Sequence, residues 1–469
     1  MTATAMRNDE MTADNAARSD GAVAPEARAA GVKDWLVLLL LTAAMMFSYV
    51  DRFTFALLLE PIKHALHATD AQLGLINGVA FGLFFAVMGV PLGWLADRWS
   101  RKGTIMLAMS VWSAATACCG LASGYMQLFL CRIAVGSGEA GLSPSSYGLI
   151  HDRFPRTRLA LALSISQLGA NVGLGVAFAG AGAAYALFQA GALSDWPIIG
   201  PLQAWQKTFI AVALPGIPLL ALLALMGEPK RRAEPVDAAP SAKLTLRQVR
   251  GFVLTFLAFS GSVMTSNALV GWTPALLARE HHWTPAFVGS TYGLIVMIAG
   301  AAGILVGGWF CDRRMQRNNH GDHLEISFWS VVLVLPLMIG EAFCSNATVL
   351  MVLAAMMHFL LSLPYGVLPA YIQLKAPAAA RGQISALYVM VVNGVAQGLG
   401  PSLVGFVSGL RPDEPTALRS AIVWVTVPAL AVTMTSLFLI ARRERRARPP
   451  QTAAQDAPRD PGPGVFSVG

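Results

Sequence analysis

Apolar runs long enough to cross a bilayer as helices, which takes roughly 20 residues each, recur twelve times along the 469-residue chain. Six lie at 35–59, 72–96, 103–122, 125–149, 159–188 and 205–227, and six more at 251–278, 285–311, 325–345, 347–373, 382–409 and 417–441. The breaks between them are short apart from the interval 229–248, which holds the polar, Pro/Ala-rich stretch KRRAEPVDAAPSA. The pattern predicts an all-α membrane protein with twelve transmembrane helices. An N-terminal six-helix bundle over 34–228 joins a C-terminal six-helix bundle over 249–443 through a cytoplasmic linker at 229–248. Within that linker, Thr245-Leu-Arg-Gln248 has capping-box spacing and predicts the start of the seventh helix. Residues 1–33 are polar and Ala-rich without the apolar core of a signal peptide, and 444–469 are rich in Pro, Ala and charge. Both ends are expected to be disordered cytoplasmic tails.

Charge sets the orientation. Only 13% of residues are charged and 55% are hydrophobic, against about 25% charged in soluble domains. With both termini placed inside, 27 of the 34 Lys and Arg fall in cytoplasmic segments. The outer loops keep five, Lys63, Lys207, Arg279, Arg411 and Arg419. That asymmetry obeys the positive-inside rule. The net charge of +8 is therefore a topology signal, and nucleic-acid binding is excluded as its cause. Five Cys lie in or beside apolar runs without CxxC or ligand-like spacing, so they read as small apolar residues.

The two bundles echo one another. Gly93-Trp-Leu-Ala-Asp97-Arg98 closes the second span and Gly308-Trp-Phe-Cys-Asp312-Arg313 the eighth, 215 residues later. Arg156 precedes Gly173-Leu-Gly175 by seventeen residues, and Arg381 precedes Gly398-Leu-Gly400 by seventeen. Same order and same spacing argue for two pseudo-symmetric halves, a transporter plan. GWLADRWSRK (93–102) resembles motif A of the major facilitator superfamily, with Ser100 where a Gly is usual. YVDRFTFALLLEPIK, LGLINGVAF and CRIAVGSGEAGLSPSSYGLIHDRFP sharpen the likeness. Over roughly residues 47–175 the chain is similar to the Spinster-like branch, whose members are linked to export of lysophospholipids and sphingolipids. The resemblance implies the major facilitator fold and alternating access. It also implies a gating role for Gly93, Asp97, Arg98, Arg101, Asp312 and Arg313, and proton coupling through matching acids in spans one and four. The fifth span, GANVGLGVAFAG, lacks the Pro of the superfamily's antiporter motif.

The charges inside the spans are the candidate chemistry. Asp51 and Glu139 lie deep, Glu341 lies near the outer end of span nine, and Arg52 and Arg132 sit inside spans one and four. Each costs about 2.5–3.5 kcal/mol or more at a helix centre and marks a functional site by default. At 1.5 Å per residue, Asp51 is about 13 Å, Arg132 about 10 Å and Glu139 about 21 Å from the outer ends of their helices. The expected order running inward is Asp51 with Arg52, then Arg132, then Glu139, with Asp51 and Arg132 at similar depth and opposite in charge. Low-dielectric surroundings favour a protonated carboxyl, while a nearby guanidinium favours the carboxylate. An arginine that moves between conformations thus switches proton affinity. Glu139 is the expected proton carrier, Asp51 is coupled to it, and Arg52 and Arg132 hold a phosphate or carboxylate head. The competing reading of the four is a static ion pair.

Gln167, Asn171, Asn267, Asn393 and Gln397 are expected to line a central cavity, with ordinary interhelical hydrogen bonds as the alternative. His358 reads as a packed, hydrogen-bonded residue. Gly136-Ser-Gly138-Glu-Ala-Gly141 matches G-x-G-x-x-G, but it lies within an apolar helix with no preceding strand. It and the Gly74/Gly78/Gly82 stripe read as close-packing surfaces. No Walker A sequence occurs, and no nucleophile, base or metal-ligand cluster is evident. The expectation is a secondary transporter, not an enzyme, with neither cofactor nor metal. Its expected setting is the plasma (inner) membrane, as a multi-pass monomer. Its partners are the bilayer, protons and a lipid-like amphiphile or organic anion. The alternatives are a symporter of small hydrophilic organic anions and a non-transporting receptor.

Overall fold

The computed structural model describes residues 31–228, 245–316, 323–377 and 381–447. Residues 1–30 of the expected tail at 1–33, 448–469 of the expected tail at 444–469 and most of the linker, 229–244, lie outside the described residues. The helices are α1 (Val32–Leu57, followed by a short Leu59–Leu66), α2 (Asp70–Asn77 then Val79–Arg98), α3 (Arg101–Cys119), α4 (Tyr125–Glu139 then Leu142–Arg153), α5 (Arg156–Gln189) and α6 (Ala204–Ala213 then Gly216–Leu225). The second set is α7 (Leu246–His281), α8 (Pro285–Gln316), α9 (His323–Phe343), α10 (Ala347–Ser362 then Pro364–Lys375), α11 (Arg381–Gly409) and α12 (Ala417–Ala447). Among the described residues nine are long and apolar enough to cross a membrane by length and composition. The other three are α3, α4 and α10, of which α4 and α10 are split.

Every break in a helix frees backbone groups that lipid cannot satisfy, so breaks belong where another element can reach. The α2 break at Gly78 is repaired from the opposite half: Ser402 Oγ on α11 accepts from the Val79 amide at 3.1 Å and donates to the Gly74 carbonyl at 2.9 Å. In α11 the segment Met390–Ala396 is π-helical, a form that recurs at functional sites. The expected capping box opens α7, with the Thr245 amide donating to Gln248 Oε1 at 2.9 Å and the Gln248 amide donating to Thr245 Oγ1 at 3.4 Å.

The structure extends the repeat. His67, after α1, and His282, after α7, both end their helices in the left-handed region, at φ 50° and 56°, and stand 215 residues apart. His67-Ala-Thr69 and His282-Trp-Thr284 then lead to Gly74 and Gly289, again at that offset. Those glycines open the contacts between halves. Gly74, Gly78 and Gly82 on α2 press on Gly398, Pro401, Ser402 and Gly405 of α11 so closely that a Cβ at Gly74 would lie 2.8 Å from the Pro401 oxygen. On the other side Gly289 and Gly293 of α8 meet Phe178 and Gly175 of α5, and Gly182 meets Pro285.

An ionic cluster lies over the α2–α11 seam at the outer face. Asp70 Oδ1 accepts from Lys63 Nζ at 2.6 Å and Arg279 Nη2 at 2.7 Å; its Oδ2 accepts from Arg279 Nη1 at 2.7 Å and Ser408 Oγ at 2.6 Å. Arg279 Nε also donates to Glu60 Oε1 at 2.7 Å. One carboxylate thereby joins the segment after α1 to α7 and α11. Toward the cytoplasm the seam parts. The α2 stripe continues through Ala86, which still meets Gly394, to Gly89 and Gly93, where a Cβ would meet nothing within 4 Å. Among the described residues, the cytoplasmic ion pairs Arg101–Asp152 and Arg153–Asp34 lie within the N-terminal half and Lys375–Glu444 within the C-terminal half. At the outer face the halves are held together.

Two outcomes follow for spin-label distances measured across the outer face. Arg279→Ala removes every ion pair that crosses the seam at Asp70 and Glu60, and should lower the closed-to-open ratio about tenfold or more, equivalent to about 1.4 kcal/mol. Gly78→Ala places a methyl against the Gly398 carbonyl and should widen the same distance while both bundles stay folded by circular dichroism. An unchanged distance in either variant contradicts the assigned closure.

Candidate functional site

Four buried charges meet between α1 and α4. Asp51 is fully buried, Glu139 and Arg132 are 1% exposed and Arg52 is 8% exposed. The chain enters α1 from the cytoplasm, and helical side chains lean toward the N-terminus of their helix. Arg52 is therefore carried inward, past the level of its own Cα. There Nη2 and Nε donate to Glu139 Oε2 at 2.8 and 3.3 Å. Ser48, one turn earlier on the same face, donates to the same oxygen at 2.7 Å. Glu139 Oε1 is buried with no hydrogen-bond partner among the described residues.

Asp51, about 100° around the helix from Arg52, faces α3 instead. Its Oδ2 accepts from Thr116 Oγ1 at 3.2 Å, and its Oδ1 makes no hydrogen bond among the described residues, with Trp112 nearby. Arg132 lies within electrostatic reach of Asp51 but forms no ion pair with it within 4.0 Å among the described residues. Arg132 Nη2 approaches the Arg52 carbonyl at 3.5 Å, a long contact, and its Nε is unpartnered. Asp51 and Arg132 are thus near one another without a direct ion pair. The close pair is Arg52 with Glu139, because the length and tilt of Arg52 span the depth difference between their Cα positions.

Aromatic rings supply the rest of the stabilisation. The Arg52 guanidinium lies 4.4 Å from the Phe81 centroid, 4.9 Å from Tyr49 and 5.1 Å from Phe85. Arg132 lies 5.3 Å from Phe81 and 5.1 Å from Phe55. Both arginines therefore share Phe81, and such contacts strengthen where cations are desolvated. The C-terminal half contributes aromatic surface: Phe259 packs on Tyr365 at 5.4 Å and Tyr388 at 5.3 Å. Tyr365 reaches electrostatic range of Tyr49 across the two halves. Ser48, Thr116 and Phe81 were not singled out in the sequence. Ser48 carried a usable signal, as the residue four before Arg52.

The neutral polar candidates divide. Gln167 is exposed on α5 and accepts from Tyr147 Oη at 2.9 Å. Asn171 is half-buried and points toward Gly300 of α8 in the other half. Asn267 is turned onto its own helix, donating to the Val263 carbonyl at 2.9 Å. Gln397 is half-buried on α11, and the Asn393 side chain lies outside the described residues. His358 is packed as expected, with Nε2 2.8 Å from Tyr292 Oη.

At the cytoplasmic end Arg101 donates to the Gly148 carbonyl at 2.9 Å and pairs with Asp152, all within the N-terminal half. Glu228, after α6, accepts from the Arg101 amide at 2.8 Å and so caps α3. Arg98 lies over Trp94 at 4.7 Å and Arg313 over Trp309 at 5.2 Å, a matched pair at the repeat offset. Gly93 faces open space, Asp97 is exposed, and the Asp312 side chain lies outside the described residues. Among the described residues no group of three or more His, Cys, Asp or Glu is placed to hold a metal ion.

The comparisons with known proteins agree with this architecture. The family model for the Major Facilitator Superfamily matches residues 41–401. An MFS-type efflux pump of Mycolicibacterium smegmatis is 26% identical over 423 residues, spanning 88% of this chain and 94% of that protein. Protein spinster homolog 1 of Xenopus laevis is 26% identical over 404 residues, 80% of this chain and 72% of its own. Among solved structures, a bacterial homolog of the human lysosomal transporter Spinster, inward-facing and unoccupied, aligns with a TM-score of 0.72 at 23% identity, covering 88% of this chain and 96% of that one. With its twelve helices, its repeated motif and a family match across most of its length, this chain belongs to the Major Facilitator Superfamily, as a transporter of the Spinster-like branch.

Proposed function

We propose that the protein is a proton-linked carrier of amphipathic anions, lipid-like in form, working by alternating access in the plasma membrane as a monomer. The observation that carries this reading is the division of Glu139. One oxygen takes Arg52 and Ser48, while the other is buried with no hydrogen-bond partner among the described residues. A substrate phosphate or carboxylate that draws Arg52 to itself leaves Glu139 without its countercharge in an apolar site. The carboxylate then takes a proton, because low-dielectric surroundings penalise its charged form. Proton and substrate are thereby linked through one guanidinium, which suits planar bidentate recognition of oxyanions. Asp51, held by Thr116 and near Arg132, modulates the same balance. The aromatic surface of Tyr49, Phe259, Tyr365 and Tyr388 supports a substrate with an apolar body.

The test is flux in proteoliposomes with a pH dye inside, using a lysophospholipid and, in parallel, a hexuronate. The expected result is lysophospholipid movement accompanied by proton flux. In Glu139→Gln, acceleration by an imposed pH gradient should fall about tenfold or more, equivalent to about 1.4 kcal/mol in the coupled step, while substrate still binds. Gradient-driven flux that survives in Glu139→Gln rules out the coupling role. Movement of the hexuronate alone favours the small-anion symporter, and binding without movement favours a receptor.

A further inference from the structure

The outer face carries a cavity of about 530 Å³ that the transport site does not use. Its walls include Glu60 and His64 after α1, Tyr185 and Gln189 at the end of α5, Trp205 at the start of α6 and Thr284 before α8. A second hollow of about 320 Å³ adjoins it through Tyr185, Gln189 and Thr284. Thr284 belongs to the C-terminal half and the other five to the N-terminal half, and Ala278 and Pro285 complete the C-terminal side. The cavity therefore exists only while the halves are together at the outer face. Its size falls within the 300–1,000 Å³ of small-molecule sites.

Its chemistry is selective. Arg279 takes only one oxygen of Glu60, Oε1, at 2.6–2.7 Å. Oε2 has His64 Nε2 at 3.7 Å, beyond hydrogen-bond range. One carboxylate oxygen is thus available to a visitor, in a cavity that Tyr185 and Trp205 also line. A carboxylate repels anions, whereas an acceptor oxygen flanked by aromatic surface attracts an organic cation.

We infer that this cavity is an external binding site for an organic ammonium, seated against Glu60 and Tyr185, which holds the transporter closed at its outer face. A ligand that binds one conformation only shifts the population toward it. At a concentration ten times its Kd, the closed-to-open ratio rises about elevenfold. The ligand acts from outside, at a distance from Arg52 and Glu139, and slows turnover without competing for the inner site. The inference rests on the outer closure and not on which substrate is carried.

The probe is benzyltrimethylammonium, permanently charged and slow to cross lipid, with benzyl alcohol as the neutral control. Calorimetry on the full chain in detergent should show the ammonium binding at least tenfold more tightly than the alcohol. Glu60→Gln should abolish that preference. Because Glu60 also touches Arg279, Tyr185→Ala is the second variant; it should weaken ammonium binding about fivefold or more while the outer spin-label distance stays unchanged. In proteoliposomes with the transporter oriented outside-out, the ammonium should slow flux when added outside and not when sealed inside. Equal affinity for the two probes, ammonium preference persisting in Glu60→Gln, unaltered binding in Tyr185→Ala, or inhibition equal from both sides would overturn the inference.

Discussion

A carboxylate and a guanidinium placed in hydrocarbon must find each other or be rebuilt as something cheaper. The contact of Arg52 with Glu139 is how this chain meets that demand. It holds α1 to α4 and fixes which way adjacent residues of α1 point. It also leaves two half-satisfied carboxylates in the bundle, since Asp51 Oδ1 and Glu139 Oε1 make no hydrogen bond among the described residues. A buried pair is weak evidence for stability, because desolvation offsets most of its attraction. Retaining four such charges in one half makes structural sense when the arrangement has to change during a cycle.

The helices were legible because the bilayer leaves few options: backbone groups must be satisfied within each span, so length and apolarity alone mark them. The twelve runs correspond to the twelve helices, though α12 continues to Ala447, six residues past the expected end at 441. The breaks were harder to read. Nothing local to Gly78 announces that its neighbour's amide will be satisfied by Ser402, more than three hundred residues away. The close pairing of Arg52 with Glu139 was hidden for a related reason. Depth computed from Cα positions ignores the direction of a long side chain, and Arg52 leans inward by most of its length. The outer cluster is not legible in the sequence, where Lys63 and Arg279 read as topology charges and the acids that flank Arg279 are distant from it along the chain. Asp70 and Glu60 lie on different elements, and only tertiary structure brings them to one arginine.

The halves share a plan and differ in chemistry. Trp94–Arg98 and Trp309–Arg313 match, as do His67 and His282, so the duplicated scaffold is intact. At the position equivalent to Arg52 the second half carries Asn267, bonded to its own helix. The seams between halves are likewise unequal. Both seams bring glycines against backbone, but the α2–α11 seam adds Ser402 and the ionic cluster, whereas the α5–α8 seam adds the Phe178–Tyr292 ring contact and borders the outer hollows.

The saturation of Asp70 bears on how the machine moves. Its two oxygens receive four donors, from the segment after α1, from α7 and from α11. Slight separation of the halves would stretch three of these at once, and none could be replaced gradually without water entering. Such a contact resists small displacements and then fails as a unit. The outer gate should therefore behave as a snap fastener, with a sharp waiting time before each opening and little dwell in between, and the duration of that wait sets a rhythm separate from the chemistry at the centre.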